Sequence, residues 1–363
     1  MVLYHYTAWH HGNWGIEPAK DAWPLLSKFT VFGNMGVQLF FVISGFVILL
    51  SSYGKKPAQF IGSRVGRLFP AYWVAVILTG TLVFFIWPEI GSRLSLWDWA
   101  VNMTMLQGGT GSPHIDGVYW TLWAELRFYA LILALMLLGW QTPGRLLAFA
   151  GIWPVAALAA PLVPGNFVAQ ALMAEYAPLF AGGMALFLLY RFGHTPLRWA
   201  VLLLNVCLAA YHTGKSGSRE ALELVGYNIP EQAYWVIVAG IFAAIAVLSL
   251  TPLRRVSFPG LALAGALTYP LYLLHQVWGW WFISLLSPLL PAPVVLTLVL
   301  GIVGLAAYLV HRCVERRFGR VLGQRTTALV QAAADLRRRP VKWRNNGGAR
   351  SDSRRDVAAG SRA

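Results

Sequence analysis

The sequence predicts an all-α membrane protein, a bundle of about ten transmembrane helices of which the first is incomplete. The composition is the first reason. Of the 363 residues, 57% are hydrophobic and 12% are charged, whereas soluble domains are about one quarter charged. The 17 Trp residues and the aromatic share of 14% suit the aromatic belts of membrane–water interfaces. A soluble globular protein is therefore excluded.

The apolar runs are the second reason, because a helix needs roughly 20 predominantly apolar residues to span a bilayer. Nine runs approach this length: 34–53, 68–87, 118–138, 146–163, 174–191, 198–212, 232–250, 261–285 and 292–311. Residues 1–9, MVLYHYTAW, resemble the last half of a tenth helix. We expect the true start of this helix to lie upstream of Met1.

The charges between the runs are the third reason, because Lys and Arg accumulate in short cytoplasmic loops. The net positive segments are 54–67, 139–145, 192–198 and 251–257. The segments that alternate with them carry no net positive charge: 10–33, 88–117, 164–173, 213–231 and 286–291. We therefore expect both termini to be cytoplasmic, in a plasma (inner) membrane of bacterial type.

The C-terminal end has a different composition from the rest. Residues 316–363 carry 13 Lys and Arg residues against three Asp. We predict a membrane domain at 1–320 and a basic, disordered cytoplasmic tail at 321–363 that is attracted to anionic lipid. Nucleic-acid binding is the alternative for a basic tail, and we do not expect it beside a membrane.

The sequence offers little support for a disulfide or a metal site. Its two cysteines, Cys207 and Cys313, do not form a framework or a cysteine-rich site. His10 and His11 follow His5, but no carboxylate or cysteine stands at a metal-ligand spacing. No metal site is predicted.

Glu125 stands inside the apolar run 118–138, about seven residues or roughly 10 Å from its predicted outer end. A carboxylate in hydrocarbon costs several kcal/mol, so it needs a partner on another helix or a wet cavity. Arg127 is two positions away, and residues two apart on a helix do not face each other. Glu125 is therefore a candidate functional residue.

His5 is a second titratable residue within an apolar stretch, VLYHYTAW. A neutral histidine can act as a base or a nucleophile near pH 7. A packing or interfacial role is the alternative, and the residues alone leave it open.

Arg64 and Arg67 lie three residues apart in FIGSRVGRLFPAYW and share a helical face at the predicted inner end of a span. Arginine suits a bidentate grip on phosphate. Basic residues at cytoplasmic helix ends are also ordinary topology anchors, which is the alternative reading.

Two further stretches contain polar or small residues within apolar runs. Tyr269, Tyr272 and His275 recur every third residue in ALTYPLYLLHQVWGWW, which indicates either a lined cavity or side chains bonded to neighbouring backbone. Gly36, Ser44 and Gly45 permit close helix approach and indicate packing.

Six segments together resemble the acyltransferase 3 family of integral membrane acyltransferases, over about residues 1–320. They occur in family order: VLYHYT, GVQLFFVISGFVI, FIGSRVGRLFPAYW (like the Arg-x-x-Arg segment), YWTLWAELRFY (like Trp-x-Leu-x-x-Glu-x-x-Phe-Tyr), LTYPLYLLH and YLVHRCVERRF. Three departures are visible. An Arg that the family carries eleven positions before the His5 equivalent is absent, Thr268 stands for Ser, and Arg317 stands for Pro.

The resemblance implies O-acyl transfer, most simply of acetyl, from acyl-CoA to a hydroxyl of an extracytoplasmic sugar or polysaccharide of the cell envelope. Acyl-CoA, most simply acetyl-CoA, would be a co-substrate, and no permanently bound cofactor is expected. The other expected partners are membrane lipid and a carbohydrate or glycolipid acceptor.

The resemblance also suggests roles for individual residues. His5 and Glu125 would be catalytic, and Arg64 and Arg67 would bind the donor. The expected cavity-lining residues are Tyr72, Trp120, Tyr129, Tyr269, Tyr272 and His275. Whether the acyl group rests covalently on His5 stays open.

The alternative from another functional class is a proton-coupled transporter, because buried Glu125, His5 and His275 could relay protons without transferase chemistry. The absence of a visible sequence repeat, which many transporter folds show, counts against it.

Overall fold

The computed structural model describes residues 1–15, 18–162 and 167–338, and within these residues it contains helices and no strands. The nine longest helices before the C-terminal one are α4 Gly36–Ser52, α5 Pro57–Thr81, α8 Trp120–Leu137, α9 Pro143–Ala159, α11 Ala177–Phe192, α12 Pro196–Glu220, α13 Glu231–Leu250, α14 Leu261–Leu286 and α15 Ala292–Val310. The shorter helices are α1 Val2–Thr7, α2 Ala19–Ala22, α3 Leu26–Thr30, α6 Leu96–Asn102, α7 Gln107–Thr110 and α10 Phe167–Leu172, and the chain ends in α16 Arg316–Arg338.

Each of the nine apolar runs overlaps one of these nine long helices, so the all-α prediction is confirmed. Proline and glycine set several of their ends. Pro57, Pro143 and Pro196 occupy first helical positions, where the missing N–H has no helical partner to lose. Gly139 and Gly193 follow helix ends with φ of 68° and 82°, a conformation that favours glycine.

Six helices are long and apolar enough to cross a membrane: Leu26–Ser52, Pro57–Ile86, Gly117–Leu137, Val168–Phe192, Glu231–Leu250 and Ala292–Leu336. This number refers to the described residues. With the hydropathy of the chain, these helices make the protein an integral membrane protein.

Small residues bring α4 and α11 into close contact. A Cβ built on Gly45 would overlap the Phe180 carbonyl, and one built on Gly183 would overlap the Val42 carbonyl. The predicted packing role of Gly45 is thereby confirmed, because only glycine allows the two backbones to approach this closely. Ser44, its neighbour, instead hydrogen-bonds Glu125.

The C-terminal segment differs from the prediction. One π-helical turn, His311–Glu315, joins α15 to α16, and α16 extends to Arg338. The expected disorder of residues 321–363 is therefore wrong as far as Arg338, and residues 339–363 lie outside the described residues. The helix forms because it packs on α5, where glycines of both helices meet.

Candidate active site

The Glu125 side chain on α8 is buried and, within the described residues, accepts two hydrogen bonds. Tyr129 Oη donates to Glu125 Oε1 at 2.6 Å, and Ser44 Oγ donates to the same oxygen at 3.4 Å. Tyr129 lies one helical turn further along α8, so its hydroxyl reaches the carboxylate within one helix. These contacts supply the partner that a carboxylate at this depth requires.

Arg64 extends this cluster toward the start of α5. Its guanidinium lies 5.6 Å from the Tyr129 ring centroid and 5.9 Å from that of Phe60. Its Nη2 donates to Ser51 Oγ at 3.2 Å. We call Arg64, Tyr129, Glu125 and Ser44 the inner cluster.

Arg67 takes a different direction from Arg64, although the two share a helix. Its guanidinium lies 5.5 Å from the Tyr269 ring centroid, and its Nη1 lies 3.6 Å from Glu315 Oε1. Arg67 also lines an open groove between α5 and α16 of about 1010 Å³. Arg64 does not line this groove.

His5 and His275 form a second cluster. Their ring centroids are 5.0 Å apart in an edge-to-face arrangement, and His5 stacks on Trp9 at 4.9 Å. Both ring nitrogens of buried His5 have no hydrogen-bond partner within the described residues. His275 Nδ1 lies 2.8 Å from the Tyr272 carbonyl. A neutral His275 therefore donates from Nδ1 and keeps Nε2 as an acceptor.

Three side chains hold α14 in place beside His275. The Tyr6 hydroxyl donates to the His275 carbonyl at 2.6 Å, and the Tyr119 hydroxyl donates to the Leu273 carbonyl at 3.2 Å. Asp116 Oδ2 accepts from the Val277 N–H at 3.4 Å. Burial raises the pKa of the Asp116 carboxyl to about 7, opposed by the backbone N–H donors.

A partly open cavity of about 220 Å³ lies next to His5. Its wall is aromatic, with Tyr4, Trp9, Trp120 and Tyr176, and its polar lining includes Asn34, Gln38, Ser216, Glu220 and Gln276. Buried amide oxygens of three lining residues have no donor within the described part of the chain: Asn34 Oδ1, Gln38 Oε1 and Gln276 Oε1. Buried polar atoms are normally paired, so these atoms indicate a place for a ligand that carries hydrogen-bond donors.

The remaining residues that were predicted to line a cavity lie at different places in the structure. Trp120 lines the 220 Å³ cavity. Tyr72 donates to the Asn102 carbonyl at 2.6 Å, and Tyr269 donates to the Leu68 carbonyl at 3.1 Å. The Tyr272 hydroxyl contacts Thr121 and the Val118 carbonyl. These three tyrosines and Tyr129 line neither the groove nor the cavity.

Glu125 and His5 are not hydrogen-bonded to each other. Among the described residues, the hydrogen-bond partners of Glu125 are Tyr129 and Ser44. Arg127 is not a partner of Glu125 either. It hydrogen-bonds the Gln170 carbonyl and lies 5.4 Å from the Trp123 ring centroid. This agrees with the spacing argument that two residues apart on a helix do not face each other.

The sequence reading missed Asn34, Gln38, Glu220 and Gln276, which line the cavity. The signal for three of them was present, because Asn34, Gln38 and Gln276 are amides within apolar runs. An uncharged amide does not interrupt an apolar run as visibly as a charge does, although it too needs a partner in a low-dielectric interior.

Comparison with known proteins places the chain in a family. A family model described as an acyltransferase domain matches residues 1–311. The chain belongs to this acyltransferase family. His5, Arg64, Arg67 and Glu125 all lie within the residues that the family model matches.

Three relatives of this acyltransferase-family chain are similar at low identity. Acyltransferase MdmB from Streptomyces mycarofaciens is 28% identical over 162 residues, which is 42% of each chain. Nodulation protein 10 from Rhizobium leguminosarum bv. viciae is 29% identical over 41% of this chain and 46% of its own length. The exopolysaccharide production protein ExoZ from Rhizobium meliloti (strain 1021) is 28% identical over 68% of this chain and 76% of its own.

The chain thus spans less than half the length of the first two of these relatives. No solved structure matches the chain significantly.

Proposed function

We propose that this protein transfers an acyl group, most simply acetyl, from acyl-CoA on the cytoplasmic side of the membrane to a hydroxyl of an extracytoplasmic sugar or polysaccharide. The observation that carries the proposal is the environment of His5. Neither of its imidazole nitrogens has a hydrogen-bond partner among the described residues, and the ring lies at the wall of a small polar cavity beside a second histidine. A buried base without a partner is suited to receive a proton from a ligand.

The proposed reaction uses His5 as the general base. The acceptor oxygen attacks the thioester carbonyl carbon while a ring nitrogen of His5 takes the hydroxyl proton. The carbon–sulfur bond then breaks, and the coenzyme A sulfur leaves with that proton as a thiol. The His275 Nδ1–H is engaged by the Tyr272 carbonyl, so its ring orientation is fixed next to His5.

The cavity supports a carbohydrate acceptor. Its unpaired amide oxygens are acceptors that match hydroxyl donors, and its aromatic wall suits the apolar face of a sugar ring. Its volume of about 220 Å³ is below the roughly 300–1,000 Å³ of drug-sized pockets, so one ring fits better than an oligosaccharide. The name of the relative ExoZ, an exopolysaccharide production protein, supports the same acceptor class.

Arg64 and Arg67 are proposed to serve the donor. Arg67 lines the groove at the predicted inner side, where a phosphate-rich nucleotide would dock. Arg64 joins this region to Glu125 through Tyr129. We therefore propose that Glu125 holds Tyr129 and, through it, Arg64 in position between the donor and the acceptor.

The test uses the full chain purified in nanodiscs with radiolabelled acetyl-CoA. We expect binding and slow hydrolysis, with water replacing the unidentified acceptor. Binding should be lost in Arg64→Ala/Arg67→Ala. Folded protein that binds and hydrolyses no acyl-CoA would contradict the proposal, and solute flux in vesicles would then favour a transporter.

A further inference from the structure

The groove between α5 and α16 has an unusual charge. Its lining includes five cations, contributed by the α4–α5 connection, by α5 and by α16: Lys55, Lys56, Arg67, Arg316 and Arg320. Among the described residues that line it, the one carboxylate is Glu315. Like charges held together repel one another, so this groove is suited to an anion.

The carboxylate does not neutralise the groove as a whole. Glu315 lies 3.6 Å from Arg67 and 2.7 Å from His311 Nδ1, and its side chain is 8% exposed. The π-helical turn His311–Glu315 brings the side chains of His311 and Glu315 together on one side of the helix. Among the described residues, Lys55, Lys56, Arg316 and Arg320 form no ion pair with a carboxylate.

The groove is built by tertiary packing and is not a loose surface patch. A Cβ on Gly62 would overlap Thr327 and Gly323, and one on Gly66 would overlap the Gly319 carbonyl. The order of these contacts makes α5 and α16 antiparallel. The close approach fixes Arg316 and Arg320 of α16 at the same groove as Arg67 of α5.

We infer that this groove binds the phosphate-bearing nucleotide end of the acyl-CoA donor, and that α16 supplies part of that site through Arg316 and Arg320. The inference rests on the proposed function and deepens it. The groove volume of about 1010 Å³ reaches the upper end of ligand pockets, roughly 300–1,000 Å³. A nucleotide is large enough to use this space, and its phosphates accept charge-assisted hydrogen bonds from arginine.

The experiment compares two double variants of the full chain in nanodiscs of zwitterionic lipid. Arg316→Ala/Arg320→Ala removes two groove charges. Arg317→Ala/Arg325→Ala removes two exposed charges of the same helix segment that do not line the groove. The probes are coenzyme A and adenosine 3′,5′-bisphosphate, and the readouts are the dissociation constant and its salt dependence, with thermal unfolding as the folding control.

We expect the groove variant to bind each probe at least about tenfold more weakly, as expected for lost charge-assisted contacts, with a shallower salt dependence. The control variant should bind within about twofold of the original chain, because its charges do not reach the groove. Lys55→Ala/Lys56→Ala tests the opposite wall and should also weaken binding, which keeps the test decisive if the α16 variant does not fold.

Equal affinities for the groove and control variants would overturn the inference. In that case acetyl-CoA hydrolysis by the original chain would still support the proposed function. Nanodiscs with anionic lipid test the other source of phosphate. If anionic lipid lowers probe affinity of the original chain to that of the groove variant, the groove is a lipid site and the inference is wrong. A chain that neither binds nor hydrolyses acetyl-CoA would contradict the proposed function itself.

Discussion

His5 lies buried against His275 with neither of its ring nitrogens paired in the described residues. Leaving a buried polar group without a partner costs about 1–3 kcal/mol. Such a cost is tolerated at sites where a ligand or substrate completes the hydrogen bonding. The position of His5 at the cavity wall is consistent with this.

His5→Ala is expected to lower acyl transfer by about 10²–10⁴-fold, the usual contribution of a general base, while the protein still inserts into the membrane. His10→Ala is the matched control, because His10 is an exposed histidine nearby and should retain activity. The measurement is acetyl-CoA turnover per amount of membrane-inserted protein. Full activity of His5→Ala would show that His5 is not the base.

Glu125 and Tyr129 should act as a pair. Glu125→Ala removes the acceptor and Tyr129→Phe removes the donor of the 2.6 Å hydrogen bond, so their effects on turnover should not add. Contacting residues usually couple by about 0.5–3 kcal/mol. A double-mutant cycle on turnover measures this coupling, with thermal unfolding followed in parallel. Strict additivity would mean that the two residues act independently.

At the scale of helices, glycines at the helix–helix contacts determine which helices can approach closely. The contacts of Gly62 and Gly66 with α16 and of Gly45 with α11 leave no space for a Cβ. Without an aqueous driving force between helices, packing of small residues supplies much of the association in a bilayer.

Gly66→Ala should destabilise the protein by about 1–3 kcal/mol, because a Cβ overlaps the Gly319 carbonyl and overpacking carries this cost. Gly304→Ala is the control. Its Cβ would meet open space within helix α15, where alanine is preferred over glycine by about 0.5–1 kcal/mol. Thermal unfolding in detergent distinguishes them. A Gly66→Ala protein as stable as Gly304→Ala would mean that the α5–α16 seam is looser than described.

At the scale of the whole molecule, the orientation in the membrane remains a prediction from loop charges. A background without Cys207 and Cys313, both exposed, allows single cysteines to report sidedness. Ser92→Cys, in a predicted outer segment, should react with a membrane-impermeant maleimide on intact spheroplasts. Ser257→Cys, in a predicted inner segment, should react only after lysis. The reverse pattern would invert the topology.

The sequence did not predict how the candidate site residues are grouped in space. It identified Arg64 and Arg67 as a pair on one helical face. In the structure Arg64 contacts Tyr129, whereas Arg67 contacts Tyr269 and Glu315. A long, flexible side chain takes its direction from the aromatic and charged groups around it, and these come from other helices.

The sequence did not predict α16, because the contacts that stabilise this helix also come from another helix. Its composition is polar and basic, which resembles a tail, and intrinsic propensity alone is a weak predictor of helix. The contacts that stabilise it involve Gly62 and Gly66 of α5, which lie far away in sequence. Most helical stability in proteins comes from such tertiary packing.

The sequence by itself determined that the chain is an all-helical membrane protein and approximately where its nine longest helices before α16 lie. It did so because the free energy of transferring a segment from water to hydrocarbon is set by the residues of that segment. The motifs in chain order also indicated the family.

Only the tertiary structure decided which polar groups meet. It brought His5 of α1 against His275 of α14, kept Glu125 with Tyr129 and Ser44, and set Arg320 of α16 at the groove of Arg67. These meetings depend on how helices pack across the bundle, and the packing is fixed by close-fitting side chains and glycine seams that no local pattern specifies.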